Sequence, residues 1–167
     1  SPTDSPTATP TTAPTCVSAL TFPGPDTVVP DDTYRNCGAL KTVVFGGSVQ
    51  RIGSHSFSYS GLETVTFQGP VVEIAANAFR ETLITTLSIE GINLVIGSNA
   101  FRSIPSLETV VITGTTSSID NNAFRQSFNG TSGTSSVSIT NVAGIETKAF
   151  LRSRLSEANI YNGSGLS

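Results

Sequence analysis

The chain is poor in charge. Only 13% of its 167 residues are Asp, Glu, Lys or Arg, and 37% are hydrophobic. Both values are low for an ordinary globular domain. Ser, Thr, Gly and Asn fill the gap, which suits a thin molecule with much surface and a narrow core. The formal net charge is −3 and the nine basic residues are scattered along the sequence, so the electrostatic footprint of nucleic-acid binding is missing. No apolar run approaches the ~18 residues of a membrane span. There is no initiator Met and no signal peptide, so either both have been removed or the chain is a piece of a longer protein.

Catalytic and metal chemistry is equally thin. His55 is the single histidine, and Cys16 and Cys37 are the only cysteines. That set is too small for a zinc site. Neither a Ser-His-Asp arrangement, a G-x-S-x-G elbow nor a phosphate-cradling glycine loop is present. Asp31-Asp32 and Asp120-Asn121-Asn122 lack the spaced oxygen ligands of a calcium loop and fit turns better. The expectation is a non-enzymatic chain without cofactor, metal or nucleic-acid partner, carrying covalent glycans.

What is present is a repeat. Leu62, Val65, Phe67, Ile74, Ala78 and Phe79 recur as Leu40, Val43, Phe45, Ile52, Ser56 and Phe57. They recur again as Ile84, Leu87, Ile89, Ile96, Ala100 and Phe101, and as Leu107, Val110, Ile112, Ile119, Ala123 and Phe124. A looser copy runs Val137, Ile139, Ile145, Ala149, Phe150, and the weakest has Val29 and Tyr34 at the Ile and Phe marks. The aromatics at 34, 57, 79, 101, 124 and 150 are separated by 23, 22, 22, 23 and 26 residues. A fixed period of this length with L-x-x-φ-x-φ strands, φ being apolar, marks a leucine-rich-repeat solenoid. Each unit cannot bury its apolar edge alone, so neighbours stack.

The expected fold is an α/β solenoid of about six turns of 22–26 residues, mostly β, with short helical or 3₁₀ turns around Ala-Phe. Asn77, Asn99 and Asn122 precede that Ala, where Asn suits a helix cap. His55 occupies the same place. Arg80, Arg102 and Arg125 directly follow the Phe and are expected as an exposed stripe, with Glu81 as a pairing partner.

The organisation divides into a Pro/Thr-rich extended tail (1–15), a divergent N-terminal cap (16–39) and the solenoid (40–167). In the tail, Pro2, Pro6, Pro10 and Pro14 recur every fourth residue, each followed by Thr3, Thr7, Thr11 or Thr15. Such a segment favours a polyproline II rod, and its composition fits an O-glycosylated stalk or proline modification as well as a flexible linker. Cys16 and Cys37 stand close to one period apart, which suits a disulfide between adjacent turns; the alternative is two unrelated thiols. Asn129-Gly130-Thr131 and Asn162-Gly163-Ser164 are N-glycosylation sequons, the first inside the insertion 126–136. After Phe150 the pattern holds one last strand and no polar cap, which reads as an adhesive edge.

Residues between the apolar strand marks face outward. One outward column is Thr42, Thr64, Thr86, Thr109 and Ser136, and the next is Val44, Thr66, Ser88, Val111 and Ser138. Thr suits any exposed strand, and Val44 and Val111 break the second column, which weighs against an ice-binding ladder. This hydroxyl-rich face is the candidate binding surface. Its partners are other copies of the chain, another surface protein or a glycan.

The Ile-x-x-x-Ala-Phe spacing at Ile74–Phe79, Ile96–Phe101 and Ile119–Phe124 resembles the BspA-like class of leucine-rich repeats over roughly residues 27–160. That resemblance implies secreted or cell-surface proteins, often adhesive, with no catalytic residues. Self-assembly into a fibril through the tail and solenoid ends, or adhesion through the sheet face, are the two functions that follow.

Overall fold

The computed structural model describes residues 14–130 and 135–161. The chain coils through parallel strands. These are β1 (Ala19–Phe22), β2 (Thr27–Val29), β3 (Thr42–Phe45), β4 (Val49–Ile52), β5 (Thr64–Phe67), β6 (Val71–Ile74), β7 (Thr86–Ile96), β8 (Thr109–Ile119), β9 (Ser136–Thr140) and β10 (Glu157–Tyr161). β1, β3 and β5 form a three-stranded sheet, and a seven-stranded sheet runs β10-β9-β8-β7-β6-β4-β2. Pairing is parallel and in step with the repeat: Val43 lies opposite Val65, Val110 opposite Val137, and Ile52 opposite Ile74.

The earlier turns therefore have a second strand where only a single apolar mark was expected, because Ile52 and Ile74 sit in β4 and β6, whereas Ile145 makes only an isolated bridge to Ile119. In β7 and β8 the two strands merge into one of 11 residues. The merger coincides with a change at one core position. Phe22, Phe45 and Phe67 stack there in the earlier turns, 5.0 and 5.1 Å apart. Ile89, Ile112 and Ile139 replace them later. β5 and β7 belong to different sheets, while β6 meets β7 with a register shift. Leu83 N–H still donates to Leu62 O across that junction, at 2.8 Å.

The core is one column-built cluster. Val43, Ile52, Leu62, Ile74, Ile84, Ile96, Leu107, Ile112 and Ile119 are buried in register. A second aromatic column runs Tyr34, Phe57, Phe79, Phe101, Phe124, Phe150, with successive centroids 5.4, 5.3, 5.2, 5.1 and 5.0 Å apart. Tyr34 and Val29 take the places of Phe and Ile as the period required: Val29 is fully buried and Tyr34 stacks on Phe57.

The expected helical or 3₁₀ turns around Ala-Phe do not form; the described residues contain no helix, and the fold is all-β rather than α/β. The corners are tight turns with two left-handed residues four apart: His55 and Tyr59, Asn77 and Glu81, Asn99 and Ser103, Asn122 and Gln126. Asn is thus present because it tolerates positive φ, not because it caps a helix. The physical reason is the demand of the stack. Every second corner N–H donates to the next turn: Asn77 to Ser98 O (3.1 Å), Phe79 to Ala100 O (2.8 Å) and Glu81 to Arg102 O (2.9 Å). A helical turn would direct those donors along its own axis, leaving the neighbouring carbonyls without them.

Candidate interaction surface

The outward columns are present, but as two pieces. Thr42 lies opposite Thr64, and Val44 opposite Thr66, in the smaller sheet. Thr86, Thr109 and Ser136 align in the larger sheet, as do Ser88, Val111 and Ser138. The break falls between β5 and β7, so the hydroxyl ladder is not continuous from Thr64 to Thr86. Thr64, Thr66, Thr86 and Ser88 are exposed, whereas Thr42, Thr109, Ser136 and Ser138 are half-buried. The ion pair Lys41–Glu63, 2.6 Å, borders the smaller sheet. At the far edge β10 pairs with β9, and Tyr161 lies opposite Thr140. All five β10 residues are exposed.

A polar network surrounds β4 in the larger sheet. The Arg51 guanidinium meets Asp31 at 2.8 Å and Glu73 at 3.4 Å. Its hydrogen bond holds the Asp31 carboxyl below its ordinary range, aided by the Ser54 N–H. Asp26 is lowered in the same direction by Gln50 and Ser48. These carboxylates stay ionised and paired, the opposite of what a general acid needs. Among the described residues no group of three or more His, Cys, Asp or Glu side chains is placed to hold a metal ion. No described helix is long and apolar enough to cross a membrane.

Cys16 and Cys37 are joined in a disulfide, Cα atoms 5.5 Å apart. It ties the segment entering β1 to the first corner, where Cys37 is buried and Cys16 exposed. Asn129 is half-buried, and its Nδ2 donates to Gln126 O at 3.0 Å. It lines a shallow groove of about 400 Å³ with Glu81, Thr82, Leu83, Ser103, Pro105 and Gln126. Asn162, Pro2, Thr3, Pro6, Thr7, Pro10 and Thr11 lie outside the described residues; Pro14 and Thr15 are exposed and in no regular element.

The corner also aligns the three arginines that the repeat places after Phe79, Phe101 and Phe124. Arg80, Arg102 and Arg125 occupy one position of successive turns, because Glu81 N–H donates to Arg102 O and Ser103 N–H to Arg125 O. They are half-buried rather than an exposed stripe, and each Nε is buried with no acceptor. The expected partner is there: Arg80 reaches Glu81 at 3.1 Å. Its guanidinium also lies 5.3 Å from the Tyr59 ring centroid, a cation–π contact that no periodicity signalled.

Comparison with known proteins agrees with this geometry. No curated protein and no solved structure matches the chain. A family model for the BspA type leucine rich repeat region matches in six copies over residues 27–155, which takes in β2 to β9. The chain belongs to the BspA-type leucine-rich-repeat family.

Proposed function

We propose that this chain is a non-enzymatic extracellular structural glycoprotein module that joins its own copies end to end, into a fibril. Family membership supports the broader role of a surface or protein-interaction module. The observation that carries the finer reading is a match between the two terminal strands. Among the described residues β1 pairs with β3, and β10 with β9, so each has one free edge. Leu20 and Phe22 hold the inward register in β1, as Ala158 and Ile160 do in β10. Ile160 is 42% exposed. Placing β1 of one copy beside β10 of another would extend both the ladder and the apolar column. Such a head-to-tail contact does not close, and non-closing contacts build filaments.

The disulfide favours an oxidising, extracellular compartment. Glycans on Asn129, Asn162 and the Pro/Thr tail belong to the same reading, with the tail as an assembly element. Negative-stain imaging and sizing of the native protein, beside a variant lacking residues 1–15, tests it. Filaments from the native protein and monomers from the truncated one are expected. Monodisperse monomers from both at high concentration would overturn self-assembly.

The second reading is adhesion, with the sheet face binding a protein or glycan. The exposed hydroxyls of Thr64, Thr66, Thr86 and Ser88 favour it. Replacing Thr86 and Ser88 by Lys should then abolish binding to the partner surface without altering sizing behaviour.

A further inference from the structure

The Arg80–Arg102–Arg125 column is unusual for a surface with so few charges. Equivalent ring centroids in the same corners are 5.2 and 5.1 Å apart, so the backbone positions that carry the three arginines follow one another at about one strand spacing. Like charges so close repel unless something of opposite sign lies between them. Little does. Arg80 has Glu81. Arg102 has only the neutral Asn99 Oδ1, at 3.5 Å. Arg125 has no ion pair among the described residues, and the nearby Asn122 Oδ1 is itself buried without a partner. The other carboxylates on this edge, Asp120 and Glu146, precede the corner turns, and Asp120 accepts from Ser118 Oγ. The next turn adds cations: Leu151 N–H donates to Lys148 O, as Arg125 N–H does to Asn122 O, which places Lys148 and Arg152 on the same corner.

Burial of Nε pins each Arg stem against the corner and leaves the terminal nitrogens as the donors on offer. Pinned guanidiniums lose little freedom on binding, and they suit oxyanions. Beside the column lies the groove of about 400 Å³, lined by the polar Ser103 and Gln126, the apolar Leu83 and Pro105, and the Glu81 carboxylate, which Arg80 pairs; the Thr82 hydroxyl and the Asn129 amide in its wall already donate to Phe79 O and Gln126 O. That lining suits sugar rings better than stacked bases, since among the described residues the groove holds no aromatic and the column meets one, Tyr59 against Arg80.

We propose that the Arg80–Arg102–Arg125 corner binds a linear anionic polysaccharide, its sulfate or carboxylate groups meeting successive guanidiniums along the stack axis. This site is separate from the sheet face and the strand edges, and it does not depend on self-assembly.

The test is a titration of the full chain with dextran sulfate, with neutral dextran and inorganic polyphosphate as comparison ligands. Dextran sulfate should bind at low salt and be released at about 0.5 M salt, where screening acts within a few ångströms. Neutral dextran should not bind. Replacing Arg80, Arg102 and Arg125 together by Gln should weaken binding roughly tenfold or more. Arg51→Gln, in β4 and already paired with Asp31 and Glu73, should change nothing. If the triple variant does not fold, Arg102→Gln alone must still weaken binding about threefold, as the middle contact. Undiminished binding by these variants overturns the proposal, and so does failure of the native chain to bind dextran sulfate. Polyphosphate binding as tight as dextran sulfate overturns the saccharide assignment.

Discussion

The rings of Phe79 and Phe101 lie 5.2 Å apart with planes 5° from parallel. That separation exceeds the thickness of a ring, so the two are offset, the arrangement the ring quadrupole favours. Both are fully buried, and each is the link between the turns on either side. Phe101→Ala should therefore cost about 3–5 kcal/mol, and Phe101→Leu much less. Urea unfolding of the two variants measures it. A loss below about 1 kcal/mol for the alanine would mean the column is not what holds the turns together.

Asn99 holds φ at 59°. A left-handed backbone costs an ordinary residue roughly 1–2 kcal/mol, and Gly nothing. Asn99→Gly should be near neutral and Asn99→Val clearly destabilising. Thermal unfolding separates this role from helix capping, for which Thr or Ser at this site would serve equally well.

Gly114 has φ +78° inside β8, and a Cβ there would run into Gly91 O of the neighbouring strand. Gly114→Ala should lose more than about 2 kcal/mol. Gly38 has open space around it and no such dihedral. Gly38→Ala should be neutral or slightly stabilising, which makes it the control for the same denaturation experiment.

The Cys16–Cys37 bridge closes a separation of 21 residues. In the chain-entropy account, removing it costs about 3 kcal/mol. The effect should be local as well as global. Hydrogen exchange in β1 should quicken first on reduction, because β1 is held otherwise by one ladder, to β3. Equal quickening in β8 would show that the bridge is not specific to this end.

Acid should weaken the same end of the stack. Asp31 is lowered from its ordinary value of 3.8, first by its hydrogen bond with Arg51. A lowered carboxylate stabilises the fold fully above its unfolded value and loses that contribution as pH falls through the folded value. The loss therefore lies below about pH 4. Asp31→Asn should flatten this part of the stability profile and leave pH 7 to 9 parallel to the native curve. An unchanged acid limb would show that the pair is too solvated to contribute.

Much of the stack was legible because its period is strict. Once Ile74 and Phe79 recur as Ile96 and Phe101, the core columns, the parallel register and the neighbouring Cys16 and Cys37 all follow from superposing one turn on the next. The corners were not legible. Ala-Phe after Asn has the local look of a capped helical start, and nothing within one turn tells Asn as cap from Asn as left-handed residue. The difference lies in where Phe79 N–H goes, and its acceptor, Ala100 O, belongs to the following turn.

The sequence by itself determined the repeat, the inward residues and the outward hydroxyls, since each depends on spacing along the chain. Only the tertiary structure decided the break between Thr64 and Thr86, the corner geometry and the partial burial of the Arg80, Arg102 and Arg125 column that the period had already aligned. The break depends on how one turn meets the next, since β6 pairs with β7 and β5 does not. The partial burial of the arginine column depends on which residue of one turn lies over which residue of the next. Both are properties of the contact between turns.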